Sequence, residues 1–377
     1  MESAELQKSR SLLLEWFRQH QRDLPWRKNR DPYRIWISEI MLQQTRVAAV
    51  IPYYERFLGQ FPDITALAEA PQEEVLRLWS GLGYYGRARN LQRAAQQIVA
   101  RHGGKFPRSH PEVLALSGIG EYTAAAILSI VFDDQHAVLD GNVARVISRL
   151  KAVRGDLREP GRWRKLQRSA EQLLLRESAG DWNQAMMELG ATVCTPCSPQ
   201  CGLCPLARFC EARKLGIAES LPEKRKKRAT VRVPLVSAIL LDARNNSLLL
   251  RPPNTHGKGG SDDHVASLVA KLWHFPTVSA ATRPERALEQ LLGRDLGMKS
   301  SESVRAERLD GVRHTVTYRA ISVVAYFVRV RKLPKIHGAE SVPLQEIPSF
   351  AISSLTRKIA RAALKHLFSG HSGTDRY

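Results

Sequence analysis

Four cysteines, Cys194, Cys201, Cys204 and Cys210, run in the order C-x6-C-x2-C-x5-C after a long cysteine-free stretch. Four thiolates in one short loop can hold either a tetrahedral zinc ion or a cubane iron–sulfur cluster. Cys197 creates a second arrangement, in which Cys194-x2-Cys197 pairs with Cys201-x2-Cys204 as in doubled zinc motifs. Only three residues would then separate the pairs, and Cys210 would be left over. A tetrahedral ion normally gathers its pairs from well-separated turns, so the spacing favours the cluster over zinc. A disulfide framework belongs to short extracellular chains and not to a chain of 377 residues.

Two carboxylates stand out next. Leu116-Ser117-Gly118-Ile119-Gly120-Glu121-Tyr122-Thr123 places two glycines just before an apolar stretch. Such glycines let backbone N–H groups approach a phosphate, and the helix that follows adds partial positive charge. About 20 residues on, Asp140 closes an apolar run, Val138-Leu139, and opens Gly141-Asn142-Val143-Ala144-Arg145. By itself Asp140 reads as a helix N-cap. The second carboxylate, Glu39, lies in a run from Ser38 to Phe57 that reads as one amphipathic helix. Ile37, Ile40, Met41, Val47 and Ile51 share one face, which leaves Glu39, Gln43 and Arg46 on the other. The following Gln43-Gln44-Thr45 supplies amide and hydroxyl groups able to reach base edges or backbone.

Helices must position these groups. Residues 5 to about 215 carry amphipathic runs with short Gly/Pro breaks, among them Pro71–Ser80, Ala88–Ala100, Tyr122–Phe132 and Trp163–Glu177. From 218 to 232 the composition turns basic around Lys224-Arg225-Lys226-Lys227-Arg228, a solvated linker that could also lie along DNA. Strand-like periodicity follows at Val233–Leu241, Ser247–Arg251, Leu272–Val278 and Val312–Val330, with helices at Pro284–Leu296 and Ser353–Leu367 and a polar loop at Asn254–Ala266. The expected division is a helical domain over 1–217 with the cysteine loop at 194–210, a linker over 218–232, and an α+β domain over 233–369.

A formal charge of +20 and a pI near 10.1 point to a polyanionic partner, nucleic acid first. A membrane surface is the rival, but no run of about 18 apolar residues could span one. Met1–Phe17 carries no secretion pattern. A monomer in the cytoplasm, or at the nucleoid in a bacterium, is the expectation.

Hairpin glycines, downstream aspartate and cysteine spacing together resemble the helix-hairpin-helix DNA glycosylases of the endonuclease III superfamily. Pro25-Trp26-Arg27, Ser38–Thr45, Leu82-Gly83-Tyr84-Tyr85 and Leu139-Asp140-Gly141-Asn142 are similar to the adenine-removing branch of that superfamily. The motifs are specific over 25–210 and weak beyond 230. The resemblance implies a mostly α fold, an all-helical helix-hairpin-helix glycosylase with an iron–sulfur cluster loop, followed by an α+β Nudix-like domain. It also implies one [4Fe–4S] cluster on Cys194, Cys201, Cys204 and Cys210, with Cys197 outside the ligand set. The implied partner is double-stranded DNA carrying adenine opposite 8-oxoguanine or guanine.

The same resemblance assigns roles. Glu39 becomes the general acid, its pKa raised by desolvation. Asp140 becomes the ionised carboxylate that stabilises an oxocarbenium-like sugar, held by Tyr122 and Asn142. Trp26, Arg27 and Gln184 line the adenine pocket. Gln44, Thr45, Leu82 and Tyr84 fill the gap in the duplex and touch the opposing base, and Gly118 and Gly120 meet the backbone. Strand-cleaving relatives carry lysine where Tyr122 stands, and a phenol cannot form the Schiff base that β-elimination needs. The expected reaction is therefore base removal ending at an abasic site.

Beyond 230 the pattern departs from the family. Around Arg283–Gly297 only Glu285, Glu289 and Asp295 occur, without the spacing a nucleotide hydrolase uses to bind Mg²⁺. The readout loop usually runs Phe-Ser-His after His-Thr, whereas this chain has Arg313-His314-Thr315-Val316-Thr317-Tyr318. His314 and Thr317 are the polar groups left to read the lesion. Two rivals remain: a thymine mismatch glycosylase, which shares the tyrosine, and a non-catalytic iron–sulfur DNA sensor.

Overall fold

The computed structural model describes residues 3–223, 229–251, 272–280, 283–298 and 303–369. The basic run Lys224–Arg228 and the polar loop Asn254–Ala266 lie outside the described residues. Twelve helices come first: α1 Ser3–His20, α2 Pro32–Leu42, α3 Val47–Gln60, α4 Ile64–Glu69, α5 Gln72–Trp79, α6 Gly86–His102, α7 His110–Leu114, α8 Glu121–Phe132, α9 Gly141–Leu150, α10 Pro160–Leu173, α11 Ala179–Thr192 and α12 Glu211–Lys214. Strands β1 Val231–Leu241, β2 Asn246–Leu250 and β3 Thr277–Ser279 precede α13 Pro284–Gln290, and β4 Ser303–Arg308, β5 Val312–Val316, β6 Arg319–Val330 and β7 Ala339–Pro343 precede α14 Ser354–Ser369. Packing divides the chain into two compact units, Met1–Ala70 with Arg89–Lys226, and Pro71–Ala88 with Lys227–Tyr377. A short segment of the helical half thus belongs to the sheet-bearing unit. No helix among the described residues is long and apolar enough to cross a membrane.

The helical unit is built around α8. Its sequence, EYTAAAILSIVF, is apolar nearly all round, and Thr123 to Ile130 are all buried. A helix without a polar face must be covered on every side, and its alanines let α2 and α11 approach. Asp31 caps α2 by accepting from the amide of Arg34 at 2.9 Å, with Pro32 in the first turn.

Here the structure corrects the expected Ser38–Phe57 helix. The helix starts six residues earlier and breaks between Leu42 and Val47, with Gln44 in the left-handed region at φ 58°. The expected Trp163–Glu177 helix likewise ends at Leu173, after which only a short 3₁₀ turn, Arg176–Ser178, forms.

In the sheet-bearing unit β1 and β6 pair in parallel from Val231↔Arg319 to Leu241↔Arg329. The strand order is β4-β6-β1-β2-β7, with β3 on β1 and β5 on β6. From Leu235 onward β1 is buried throughout, the mark of a strand covered on both faces. The expected Leu272–Val278 strand reduces to single bridges at Trp273 and His274 before β3. Val312–Val330 resolves into the hairpin β5–β6, whose turn holds Thr317 at φ 54°.

Candidate active site and cluster loop

One open cleft of about 500 Å³ in the helical unit gathers most of the expected site. The turn after α1 contributes Trp26 and Arg27, α2 contributes Glu39, and the break after it Gln44 and Thr45. Tyr122 comes from the first turn of α8, Asp140 and Asn142 from the start of α9, and Gln184 from α11. Residues spread over about 160 positions meet because α8 lies between α2 and α11.

Glu39 is 7% exposed, although helical periodicity placed it on the open face. Burial pushes its carboxyl up to about 7, the nearby Asp140 charge adds to this, and the Tyr122 hydroxyl opposes it. That hydroxyl donates to Glu39 Oε2 at 3.0 Å and also meets Met187 Sδ at 3.3 Å. Tyr122 was expected to hold Asp140; the structure gives it to Glu39 instead. Its own pKa lies well above the ordinary phenol value, chiefly through burial, so it stays a donor.

Asp140 is both an N-cap and a wall of the cleft. Its Oδ1 accepts from the amide of Val143 at 2.7 Å, and its Oδ2 from Asn142 Nδ2 at 3.0 Å. Burial raises its pKa, while the bonds from Val143 and Asn142 and the charge of Arg145 lower it. The net shift is upward, with burial outweighing these bonds. The two carboxylates differ in their surroundings: Glu39 accepts from the Tyr122 hydroxyl and feels the charge of Arg27, whereas Asp140 accepts from the Val143 and Asn142 amides and feels the charge of Arg145.

Sequence reasoning missed the groups behind these. Glu188, 1% exposed, accepts from Arg22 Nε at 2.7 Å and from Arg27 Nη2 at 2.8 Å. Burial would raise its carboxyl, but the two guanidiniums hold it at about 2. A buried carboxylate bound by two arginines fixes Arg27 at the cleft. Arg145 reaches Asn142 Oδ1 at 2.8 Å, the Gly190 carbonyl at 2.7 Å and the Cys194 carbonyl at 2.8 Å. One side chain thus ties the amide that holds Asp140 to the backbone of Cys194. A Cβ on Gly190 would stand 2.7 Å from Asn142 Cβ, so glycine lets α11 approach α9 at this point.

Gly118 adopts φ 80°, and a Cβ there would meet Asn90 Cβ at 2.7 Å. The Ser117 amide is bound by Gln97 at 2.8 Å. Gly120 stands at the N-cap of α8, with no side chain bound to the first-turn N–H groups.

Cys194, Cys201, Cys204 and Cys210 line one cavity, and Cys197 is exposed outside it. Arg149 Nη1 donates to Cys194 Sγ at 3.3 Å, while its Nη2 is buried without a partner among the described residues. Four soft donors around one cavity, backed by a buried guanidinium, suit an anionic thiolate-held group. Among the described residues no three His, Cys, Asp or Glu side chains are gathered closely enough for a single ion.

Leu82, Tyr84, His314 and Thr317 belong to the other unit. Leu82 is buried, whereas Tyr84 is 47% exposed at φ 50°. His314 is half-buried on β5, and burial together with the Lys358 charge lowers its pKa. Thr317 is exposed, its hydroxyl donating to the Val316 carbonyl at 2.7 Å.

Residues 37–172 match the family described as HhH-GPD superfamily base excision DNA repair protein. An adenine DNA glycosylase of Mus musculus is 34% identical over 422 residues, covering 97% of this chain and 80% of its own. The Homo sapiens adenine DNA glycosylase is 46% identical over 220 residues, or 56% of this chain and 40% of that one. A thermostable thymine-DNA glycosylase superposes with a TM-score of 0.51 at 29% identity, covering 56% of this chain and all of that one. A trapped endonuclease III–DNA intermediate, at 0.50 and 22% over 58% of this chain and 99% of that one, shares the fold. With both carboxylates in one cleft and the mouse relative matched through the helical and the sheet-bearing parts alike, the chain belongs to the adenine DNA glycosylases, base excision repair enzymes of the helix-hairpin-helix superfamily.

Proposed function

We propose that the protein excises adenine lying opposite 8-oxoguanine, and less readily opposite guanine, by hydrolysis that stops at the abasic site. The observation that carries this is the pairing of Glu39 and Asp140 in one cleft with unlike surroundings. Adenine leaves poorly as an anion, so its ring must be protonated. A carboxyl with a pKa near 7 can hold a proton at neutral pH and still give it up. Glu39 transfers that proton to a ring nitrogen of the flipped base, and the C1′–N9 electron pair departs with adenine. Asp140, fixed by Val143 and Asn142, stabilises the cationic sugar. Water adds at C1′, and its proton returns to Glu39. The test is release of free adenine from duplexes carrying each opposing base in turn. Release of thymine from a G:T duplex without release of adenine would favour the mismatch reading that the thymine-DNA glycosylase likeness keeps open.

His314 and Thr317 are our candidates for reading the lesion. An 8-oxoguanine differs from guanine by one carbonyl and one N–H, so a few polar groups suffice. Thr317→Ala is expected to slow excision opposite 8-oxoguanine about fivefold, the worth of about one hydrogen bond, and to leave guanine duplexes nearly unchanged. Equal slowing of both in single-turnover assays would make the residue a general DNA contact.

A [4Fe–4S] cluster on Cys194, Cys201, Cys204 and Cys210 is the best fit to the thiol-lined cavity. When bound it would tie the loop 194–210 to α9 and supply no step of the hydrolysis. Cys197→Ser is expected to retain about four irons per chain, whereas Cys201→Ser loses them. Zinc found in place of iron by metal analysis would sink the cluster.

Tyr122 stands where strand-cleaving relatives carry their amine. Tyr122→Lys is expected to confer strand cleavage, and borohydride should then trap a covalent adduct. Trapping of the unaltered protein would contradict the monofunctional assignment.

A further inference from the structure

Pro71–Ala88 is continuous in sequence with the helical half, yet it packs within the sheet-bearing unit. Its turn presents Tyr84 to solvent in a left-handed conformation that a tyrosine adopts at some energetic penalty. Something must hold such a turn, and two sets of contacts do so. On the near side, Arg87 Nη2 donates to the carbonyls of Leu82 at 3.4 Å and Gly83 at 3.3 Å. Its guanidinium lies 5.5 Å from the ring centroids of both Trp79 and Tyr84.

The far side comes from residues some 270 positions away. The carbonyl of Ile352 accepts from Ser80 Oγ at 2.8 Å and from Tyr85 OH at 3.0 Å. Arg357, in the first turn of α14, donates from Nη2 to Ser80 Oγ at 2.7 Å. Tyr85 OH also accepts from the Gly81 amide at 3.4 Å. On α5, Glu73 receives the indole N–H of Trp273, over whose ring Arg251 lies at 5.7 Å. Both ends of the turn are therefore hydrogen-bonded to one carbonyl; Ser80 and Tyr85 are buried and Arg357 is partly buried. Two hydroxyls converging on one acceptor constrain the turn more tightly than exposed loop contacts would.

We propose that Ser80, Tyr85 and Arg357 with the Ile352 carbonyl form a latch through which the sheet-bearing unit sets the angle of the Tyr84 turn. Ser80, Tyr85 and Arg357 are then positioning residues for base extrusion, whatever base stands opposite. The proposal rests on the reading of Tyr84 as the wedge that enters the duplex. It also gives the sheet-bearing unit a second role, distinct from lesion readout: removing the latch slows excision opposite guanine as much as opposite 8-oxoguanine.

The test uses the full chain and a duplex with 2-aminopurine in place of the target adenine, whose fluorescence rises on unstacking. The double variant Ser80→Ala with Tyr85→Phe removes only two hydroxyls and is expected to reduce the extruded population about tenfold. Arg357→Ala acts in the same direction, and Arg357→Lys, which can still donate to Ser80, restores part of the signal. A full fluorescence rise in the double variant overturns the latch, and this variant decides the matter even if Arg357→Ala fails to fold. Tyr84→Ser separates the two layers. If it loses the rise while the double variant keeps it, the latch alone is wrong. If Tyr84→Ser keeps the rise, the wedge reading itself fails.

Discussion

Glu39→Gln is expected to lower single-turnover adenine excision by about 10²- to 10⁴-fold, the range a positioned general acid supplies, or about 3–5 kcal/mol of barrier. The amide is nearly isosteric with the acid and can still accept from Tyr122, so the cleft keeps its shape. It has no proton to give. Duplex affinity should stay within a few-fold, because the basic surface and not this buried group dominates binding. Excision that persists near the parental rate would remove Glu39 from the mechanism.

The pH profile follows with a definite sign. In the proposed mechanism Glu39 works in its protonated form, and burial raises its pKa to about 7. Excision should therefore fall as the pH rises above about 7, approaching about tenfold per unit, and fall again on the acid side as Asp140, whose pKa burial also raises, takes up a proton. An ordinary carboxyl would have lost its proton well below this range. A profile that stays level into the alkaline range would mean that proton transfer from Glu39 does not limit the step.

Both carboxylates were legible in the sequence because their signals are local. Asp140 ends an apolar run before a helix and carries Gly-Asn after it, and the structure makes it the N-cap of α9. Glu39 was legible through its neighbours, but its burial was not. Gln43, Gln44, Thr45 and Arg46 include no glycine or proline, so periodicity runs straight across them. The break that places Gln44 and Thr45 at the cleft is a tertiary outcome, with Gln44 in a conformation its residue type does not advertise. The true start of that helix did leave a sign, in Asp31-Pro32.

The supporting groups left no such trace. Arg22 and Arg27 find Glu188 more than 160 positions away, and nothing in either segment singles out the partner. Arg145 and Arg149 look like ordinary cationic positions of α9, yet they are 8% and 1% exposed and reach Cys194. The membership of Pro71–Ala88 in the sheet-bearing unit is equally hidden, since its partners Trp273, Ile352 and Arg357 lie far along the chain. Local pattern shows which residues could react. Which distant residues hold them in place is set by packing.

Asp140→Asn isolates charge from architecture and is the second large expected effect. Asparagine caps helices about as well as aspartate, and its oxygen can still accept from the Val143 amide. The other oxygen becomes an amino group facing the Asn142 amide, so one hydrogen bond is lost and two donors meet. That should lower stability by about 1 kcal/mol, visible as a small fall in the melting temperature. The effect on chemistry is far larger. The cationic sugar loses the fixed charge that Asp140 supplies, and removal of a preorganised charge-stabilising group slows catalysis by about 10²- to 10³-fold. Arg145 makes the loss worse, because its guanidinium, 2.8 Å from Asn142, is no longer balanced by the carboxylate. The measurement pairs single-turnover excision with thermal unfolding of the same sample. A variant that excises normally despite the lost charge would assign the stabilisation of the sugar to another group. One that unfolds broadly would make Asp140 chiefly a cap.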